Sequence, residues 1–203
     1  MAHYFTNNKH LSHDINKVNA VIHNISYHFY TDNGVFSKGE LDFGTELLLK
    51  TFEYTYTQEK EALDIGCGCG PIGIYLSKLG FLVDMCDVNE RALDLAKKAV
   101  NEQGLNANVF ISDAYSAVDK KYDYILSNPP IRVGKQKLYE IVMNAREYLK
   151  ENGEVWLVVR KDKGADSLVR DMKEVYNKVD VIEKKKGFYI IKGIGETYEN
   201  KDQ

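Results

Sequence analysis

Two stretches of this chain carry residues whose types and spacing suit chemistry. The first is Leu63-Asp64-Ile65-Gly66-Cys67-Gly68-Cys69-Gly70-Pro71-Ile72-Gly73, a strand-like run that enters a glycine-dense turn and leaves it as a helix. Glycine takes left-handed backbone angles and lets a ligand come close to the main chain. Pro71 suits a first helical position, where its missing N–H would be unpaired anyway. A helix start also presents N–H groups and a positive dipole end, so a carboxylate or phosphate would be welcome there. Four glycines between Gly66 and Gly73 are more than an ordinary strand-to-helix turn requires. The second stretch is Ser127-Asn128-Pro129-Pro130-Ile131, which ends a later strand-like run.

Gly68 to Gly73 fits the G-x-G-x-x-G pattern of dinucleotide sites. Asp87 ends the next strand-like run, about 20 positions on, where an acidic residue suits ribose hydroxyls in several ligands. Two features point away from a nicotinamide dinucleotide. Asp64 stands two residues before Gly66, placed to meet a ligand ammonium, which such a dinucleotide lacks. Hydride transfer also has no use for Asn-Pro-Pro at a strand end, whereas methylation of an amino group does.

Asp64 to Gly73, Asp87, Asp113 and Asn128 to Ile131 resemble the ordered motifs of class I S-adenosylmethionine-dependent methyltransferases. Gly34-Val35-Phe36-Ser37-Lys38, followed by Leu41-Asp42-Phe43-Gly44-Thr45, narrows the resemblance to the ribosomal RNA small-subunit guanine-N2 methyltransferase C family. The resemblance spans residues 25 to 193. It implies a Rossmann-like α/β fold, with a seven-stranded, mostly parallel sheet. A C-terminal antiparallel hairpin and a small N-terminal β extension complete it.

The resemblance also implies roles. S-adenosyl-L-methionine would meet Asp64, Gly66, Cys67, Gly68 and Gly70 with its methionine end, helped by Thr45. Asp87 would take the ribose diol and Val88 one adenine face, with Asp113 and Ala114 at the adenine amino group. Phe36 and Asn128 complete the cofactor side. Asn128, Pro129, Pro130 and Ile131 would form the catalytic turn. A guanine amino group is a poor nucleophile because its lone pair is delocalised into the ring. The Asn128 side-chain oxygen and the Pro129 carbonyl would accept its N–H bonds, favouring a localised nitrogen and stabilising the charge that builds on it. Prolines keep such a turn rigid and bring no competing N–H. Amino-methylating enzymes often carry an aromatic residue where Ile131 stands, so stacking on a base would come from elsewhere, with Phe36 one source.

Substrate contacts are expected from Lys38, Arg132 and Lys135, with Lys137, Arg160, Lys161 and Lys163 near the same mouth. These would hold RNA phosphates. Lys184 to Lys186 read as a solvated hairpin turn at the opposite end. The alternative substrates are a protein glutamine or a small amine, and the non-enzymatic alternative is a cofactor-binding module.

The rest of the sequence bounds these readings. With 203 residues and 44% hydrophobic content, one domain with a sizeable core is expected. The net charge of −3 means that nucleic acid would have to be held by a local patch. No apolar run reaches membrane-spanning length, and Met1 to Ser12 is polar, so a cytoplasmic protein is expected. Cys67, Cys69 and Cys86 suit neither a disulfide framework nor zinc spacing. The five histidines lie before residue 29 without metal-binding spacing. A monomer or homodimer would result, divided as an extension at 1–40, a core at 41–193 and a tail at 194–203.

Elements must place these groups. Alternation over Val18 to Tyr30, broken at Asn24, predicts a small hairpin. Helices are predicted at 45–52, 72–78, 90–103, 138–149 and 168–175. Strands are predicted at 61–65, 81–87, 108–112, 122–126 and 154–160, with a closing hairpin of 179–182 and 188–191. Asn89 is a suitable N-cap and Gly104 a suitable C-terminal stop. Asp64, Asp87, Asp113 and Asn128 then all fall at strand ends, along the edge where parallel sheets bind ligands.

Overall fold

The computed structural model describes residues 12–35, 39–55, 59–129 and 134–195. The strands and helices alternate as the periodicity predicts. β3 (Glu61–Ile65), β4 (Leu82–Asp87), β5 (Ala107–Ile111), β6 (Tyr122–Ser127) and β7 (Leu149–Arg160) are parallel neighbours, and β8 (Lys178–Lys185) and β9 (Phe188–Ile194) close one edge. The order across the sheet is β5-β4-β3-β6-β7-β9-β8, with β9 antiparallel to both β7 and β8. The sheet is therefore seven-stranded and mostly parallel, as expected.

Central strands of a parallel sheet are covered on both faces, so their side chains are apolar almost without alternation. In β3, Ala62, Leu63 and Ile65 are buried, and in β6 Ile125 and Leu126 are as well. α1 (Phe43–Thr51), α2 (Pro71–Lys78) and α3 (Glu90–Glu102) supply the core of one face. α4 (Gly134–Asn144) and α5 (Ala165–Met172) supply the other. α3 buries Ala92, Leu95, Ala96, Ala99 and Val100, the stripe read from sequence, and the Asn89 side chain accepts from Ala92 N–H as its cap.

β1 (Asn16–Ile22) and β2 (Ile25–Thr31) form a separate antiparallel hairpin. His23 and Asn24 both take positive φ in its turn, the conformation that matches the twist of a two-residue hairpin loop. Val18, Ala20 and Ile22 face inward. The hairpin packs on α2 and α3: Tyr27 and Tyr75 rings lie 5.7 Å apart, and the Tyr30 hydroxyl donates to Glu102 at 2.6 Å. The junction closes on Asp32, which Arg91 of α3 meets at 2.7 Å.

β7 begins five residues earlier than the valine run predicts. Its first part pairs Leu149 with Tyr122, then a register shift leads to Glu154 opposite Tyr124. Asn152 sits at φ +56 within that irregular stretch, which carries little apolar pattern to read. Among the described residues, no helix is long and apolar enough to cross a membrane, and no group of His, Cys, Asp or Glu could hold a metal ion.

Candidate active site

The carboxyl ends of β3, β4, β5 and β6 lie along one edge, because the parallel register sets Ile65 beside Cys86 and Asp87 beside Ile111. Ser127, which opens the Asn-Pro-Pro stretch, is fully buried and donates to the Ile65 carbonyl at 2.7 Å, a role its position in the sequence does not show. That bond ties the turn after β6 to the turn after β3.

The glycine turn is built largely from its own hydrogen bonds. Gly66 and Cys67 N–H both reach the Cys86 carbonyl, at 2.9 and 3.0 Å, and Gly70 N–H reaches the Cys67 carbonyl at 2.9 Å. Gly68 N–H donates to Asp87 Oδ2 at 2.9 Å, and Gly73 N–H to Asp64 Oδ2 at 2.8 Å. The array of free amides expected for a carboxylate or phosphate is thus mostly engaged inside the protein. Two glycines have evident causes. At Gly73 a Cβ would sit 2.2 Å from the Met85 sulfur, so only glycine lets α2 pack on β4. Gly68, at φ +53, faces open space, which leaves its backbone accessible from outside.

Asp64 lies beneath this turn and is fully buried. One of its oxygens holds Gly73, while Oδ1 has no hydrogen-bond partner among the described residues. Burial pushes its carboxyl up to about 7, against the Gly73 bond that favours the charged form and with the help of nearby Asp87. Asp87 also receives Asn89 N–H on Oδ1, at 2.8 Å. Burial raises its pKa too, against its bonds from Asn89 and Gly68. Beside the amides of Gly68, Asn89 and Val88 that it holds, the Asp87 carboxylate keeps acceptor capacity for ligand hydroxyls. Val88 beside it is half-buried. Cys67 and Cys69 are buried fillers of the turn, with thiols pushed up by burial, Cys69 to about 12.

Asp113 does lie beyond the end of β5, but it is 65% exposed and its Oδ1 meets Lys137 at 2.6 Å. Lys137 also holds Glu140 at 2.8 Å, so this lysine is tied to carboxylates rather than offered to phosphates. Ala114 is buried, at φ +47.

Asn128 follows β6 and is half-buried, with Pro129 buried behind it. Its Nδ2 lies 2.9 Å from Asp42 Oδ2 and 2.9 Å from Thr45 Oγ1. Thr45, expected at the cofactor carboxylate, thus meets Asn128. Pro129 lines a cleft of about 350 Å³ with Leu138, Tyr139, Val158, Lys163 and Ser167 among its walls. The Tyr139 hydroxyl donates to Asp171 at 2.6 Å, and Lys135 Nζ stands 4.9 Å from the Tyr139 ring centre. The apolar stripe of α4 does not announce Tyr139, which the fold places on the cleft wall. Lys135 and Tyr139 sit one helical turn apart, which was the available signal. Phe36, Lys38, Pro130, Ile131 and Arg132 lie outside the described residues.

Lys184 to Lys186 are placed contrary to expectation. Phe188 pairs with Arg160, and Lys161 N–H donates to the Gly187 carbonyl at 2.8 Å. The turn between β8 and β9 therefore lies at the end of β7, on the same edge as Asn128. Because β9 runs antiparallel to β7, the turn leading into β9 must lie where β7 finishes. Lys186 Nζ stands 4.8 Å from the Phe43 ring centre, next to Asp42. Arg160 is paired with Asp162, whereas Lys161, Lys163, Lys184, Lys185 and Lys186 are exposed, with no ion pair to a carboxylate among the described residues.

Comparison with known proteins agrees with this geometry. The family model described as methyltransferase small domain matches residues 26–192. The uncharacterized protein YbxB of Bacillus subtilis is 42% identical over 176 residues, covering 84% of this chain and 87% of that protein. The ribosomal RNA small subunit methyltransferase C of Haemophilus influenzae is 38% identical over 135 residues, which are 64% of this chain but 40% of that protein. Among solved structures, the T. thermophilus 16S rRNA N2 G1207 methyltransferase (RsmC), determined with AdoMet and guanosine, superposes with a TM-score of 0.81. It is 22% identical, and the match covers 90% of this chain and 51% of that one.

Proposed function

The chain belongs to the methyltransferase small domain family, an S-adenosyl-L-methionine-dependent methyltransferase, and from that premise we propose that it methylates the exocyclic N2 amino group of guanine in ribosomal RNA. Its residues fit the cofactor. The unpartnered Asp64 Oδ1 is an acceptor on the floor of the turn, suited to a cationic donor. Asp87 has lone pairs for a ribose diol, held in place by the Gly68 and Asn89 amides. Open space above Gly68 admits close approach to its backbone. Bound there, S-adenosyl-L-methionine supplies an electrophilic methyl group on a sulfonium.

The protein's own part is to hold and polarise the acceptor nitrogen. Asn128 and the Pro129 carbonyl supply acceptors for two N–H bonds, which localises the nitrogen lone pair. The same fixed dipoles complement the positive charge that develops on that nitrogen as it bonds to carbon. The observation that carries this reading is Asn128 itself, next in the chain to Pro129 on the cleft wall, with its Nδ2 occupied by Asp42 and Thr45. The cleft is of a size that small-molecule or base-sized ligands use. Tyr139 on its wall supplies an aromatic surface that Ile131 lacks.

An RNA substrate is supported by the edge around the cleft. Lys135 and Lys163 line the cleft, and Lys161 and Lys184 to Lys186 lie at the same edge of the sheet, in a chain whose net charge is −3. Such a rim would bind phosphates irrespective of sequence, and the pocket would select the base once it leaves its stack. The relatives named as ribosomal RNA methyltransferases support the same reading, though the match spans only about 40% of the Haemophilus influenzae protein.

Labelled methyl transfer into small-subunit RNA from cells lacking the protein, followed by nucleoside mass spectrometry, tests the reading. N2-methylguanosine is the expected product, with ribosomal substrates far outperforming free guanosine. Efficient methylation of a peptide glutamine or a free amine, with every ribosomal substrate unlabelled, would replace the RNA reading with the amide or amine one.

A further inference from the structure

We infer that Asp42 is a positioning residue, acting through Asn128 to fix which end of that side-chain amide faces the substrate. This rests on Asn128 being the acceptor for the reacting amino group. An asparagine amide is nearly symmetric in shape, so packing alone does not choose between its oxygen and its nitrogen. A wrong choice would be fatal to the chemistry, because an NH2 group aimed at another amino group repels its hydrogens and leaves its lone pair delocalised.

Asp42 makes the choice. As a carboxylate it can only accept, and its Oδ2 lies 2.9 Å from one branch of the Asn128 amide. Were that branch the oxygen, two acceptors would face each other at hydrogen-bond distance. The branch must therefore be Nδ2. Thr45 Oγ1, also 2.9 Å away, takes its second hydrogen. With both hydrogens occupied, Oδ1 is the branch directed away from the clamp, open to accept from a substrate.

The fold makes the clamp stiff. Asp42 is the N-cap of α1, and the same Oδ2 accepts Thr45 N–H at 3.0 Å. Thr45 is itself buried in the first turn of the helix. Gly44 beside it leaves little room: a Cβ would stand 3.0 Å from both Asp42 Oδ2 and the Phe188 ring, so either would have to shift. The end of α1 is thus packed against β9 and held to the catalytic turn through one carboxylate oxygen. Asp42 and Asn128 are 86 residues apart in the chain.

A helix cap alone would explain Asp42 without any role in turnover, so the test separates the two. Serine is a good N-cap, but its shorter side chain falls short of Asn128. Asparagine can place an amide oxygen where Oδ2 stands, keeping both contacts. In Asp42→Ser, kcat should fall by about 10- to 100-fold, the scale on which small misplacements act, while KM and cofactor affinity stay within about twofold. Asp42→Asn should recover most of the loss. The Asn128 side-chain amide protons, read by 15N NMR and assigned with Asn128→Ser, should shift and exchange faster in Asp42→Ser and remain near wild type in Asp42→Asn. Thr45→Val, which keeps the packing, should show a smaller loss in the same direction.

Wild-type kcat and unchanged Asn128 resonances in Asp42→Ser would overturn the clamp, as would equal losses in the serine and asparagine variants. Should Asp42→Ser fail to fold, Thr45→Val decides by the same two readouts. If wild-type protein labels no ribosomal RNA, the RNA reading fails on its own, while the resonances still decide the clamp.

Discussion

Two buried carboxylates mark two regions of the molecule. Asp32 lies where the N-terminal hairpin meets α3, and Asp64 lies beneath the glycine turn; they are 1% and 0% exposed. Asp32 is fully engaged. It accepts Asp14 N–H at 2.6 Å, Asn33 N–H at 2.7 Å and Arg91 Nε at 2.9 Å, and it meets His13 at 2.7 Å. Burial works against its charge, but these donors outweigh it and hold its carboxyl down at about 2. Asp64 has one donor, Gly73, and burial lifts it to about 7. Asp64 lies deeper and has a single donor, so burial wins there, whereas at Asp32 the donors win. A carboxylate surrounded by donors joins parts of the fold together. One left with an oxygen that has no partner among the described residues keeps an unused acceptor, which the proposed function assigns to the cofactor. Changes at the junction should therefore disturb folding and spare chemistry, and changes at the sheet's carboxyl edge should do the reverse.

The largest effect is expected at the edge. Asn128→Ala should slow methyl transfer by about 10²–10³-fold, or about 3–4 kcal/mol, as loss of one preorganised group does. Cofactor affinity and thermal midpoint should barely change. Single-turnover rates close to wild type would show that Asn128 merely ends a strand.

At the junction, Asp32→Ala removes the acceptor shared by Arg91 and two amides. Stability should drop by about 3 kcal/mol, the scale for breaking a buried ion pair, with the cofactor dissociation constant of the folded fraction unchanged. Denaturant unfolding alongside calorimetric binding checks both halves. Asp32 has a lowered folded pKa, so its contribution is present above about pH 4 and is lost as the pH falls towards 2. An Asp32→Ala protein as stable as wild type at pH 7 would erase the contrast between the two carboxylates.

Asp64 should behave in the opposite sense, with the smallest effect. Its folded pKa is raised, so between about pH 4 and 7 the native protein keeps a proton that the unfolded chain has released. Stability of the cofactor-free protein should decline as the pH rises through that window. Asp64→Asn should abolish the decline and weaken S-adenosyl-L-methionine by about 1.5–3 kcal/mol, the scale of one hydrogen bond to a charged group. Melting curves from pH 4 to 8 for both proteins give the first result, and calorimetry gives the second. An unchanged pH slope in Asp64→Asn would remove Asp64 from the account.

Much of this was legible in the chain because it is local. Apolar periodicity placed five helices and the alternating strands, Asn89 announced the cap of α3, and the glycine turn lay between a strand and a proline. The strand-end positions of Asp64, Asp87 and Asn128 followed, since parallel crossovers bring successive strand ends to one edge. Each of these depends on neighbours a few residues away, which sequence records directly.

What tertiary structure alone decided depends on partners far apart in the chain. The antiparallel sense of β9 carried Lys184 to Lys186 to the active edge, where sequence spacing had suggested the far end. Packing brought Asp42 and Thr45 to Asn128 and gave that amide its orientation. The Cys86 carbonyl and the Asp87 carboxylate took up amides that the glycine pattern seemed to leave free. Periodicity shows which face of an element is buried, but not which polar group it will meet. That is fixed only when strand register and helix packing set the final distances.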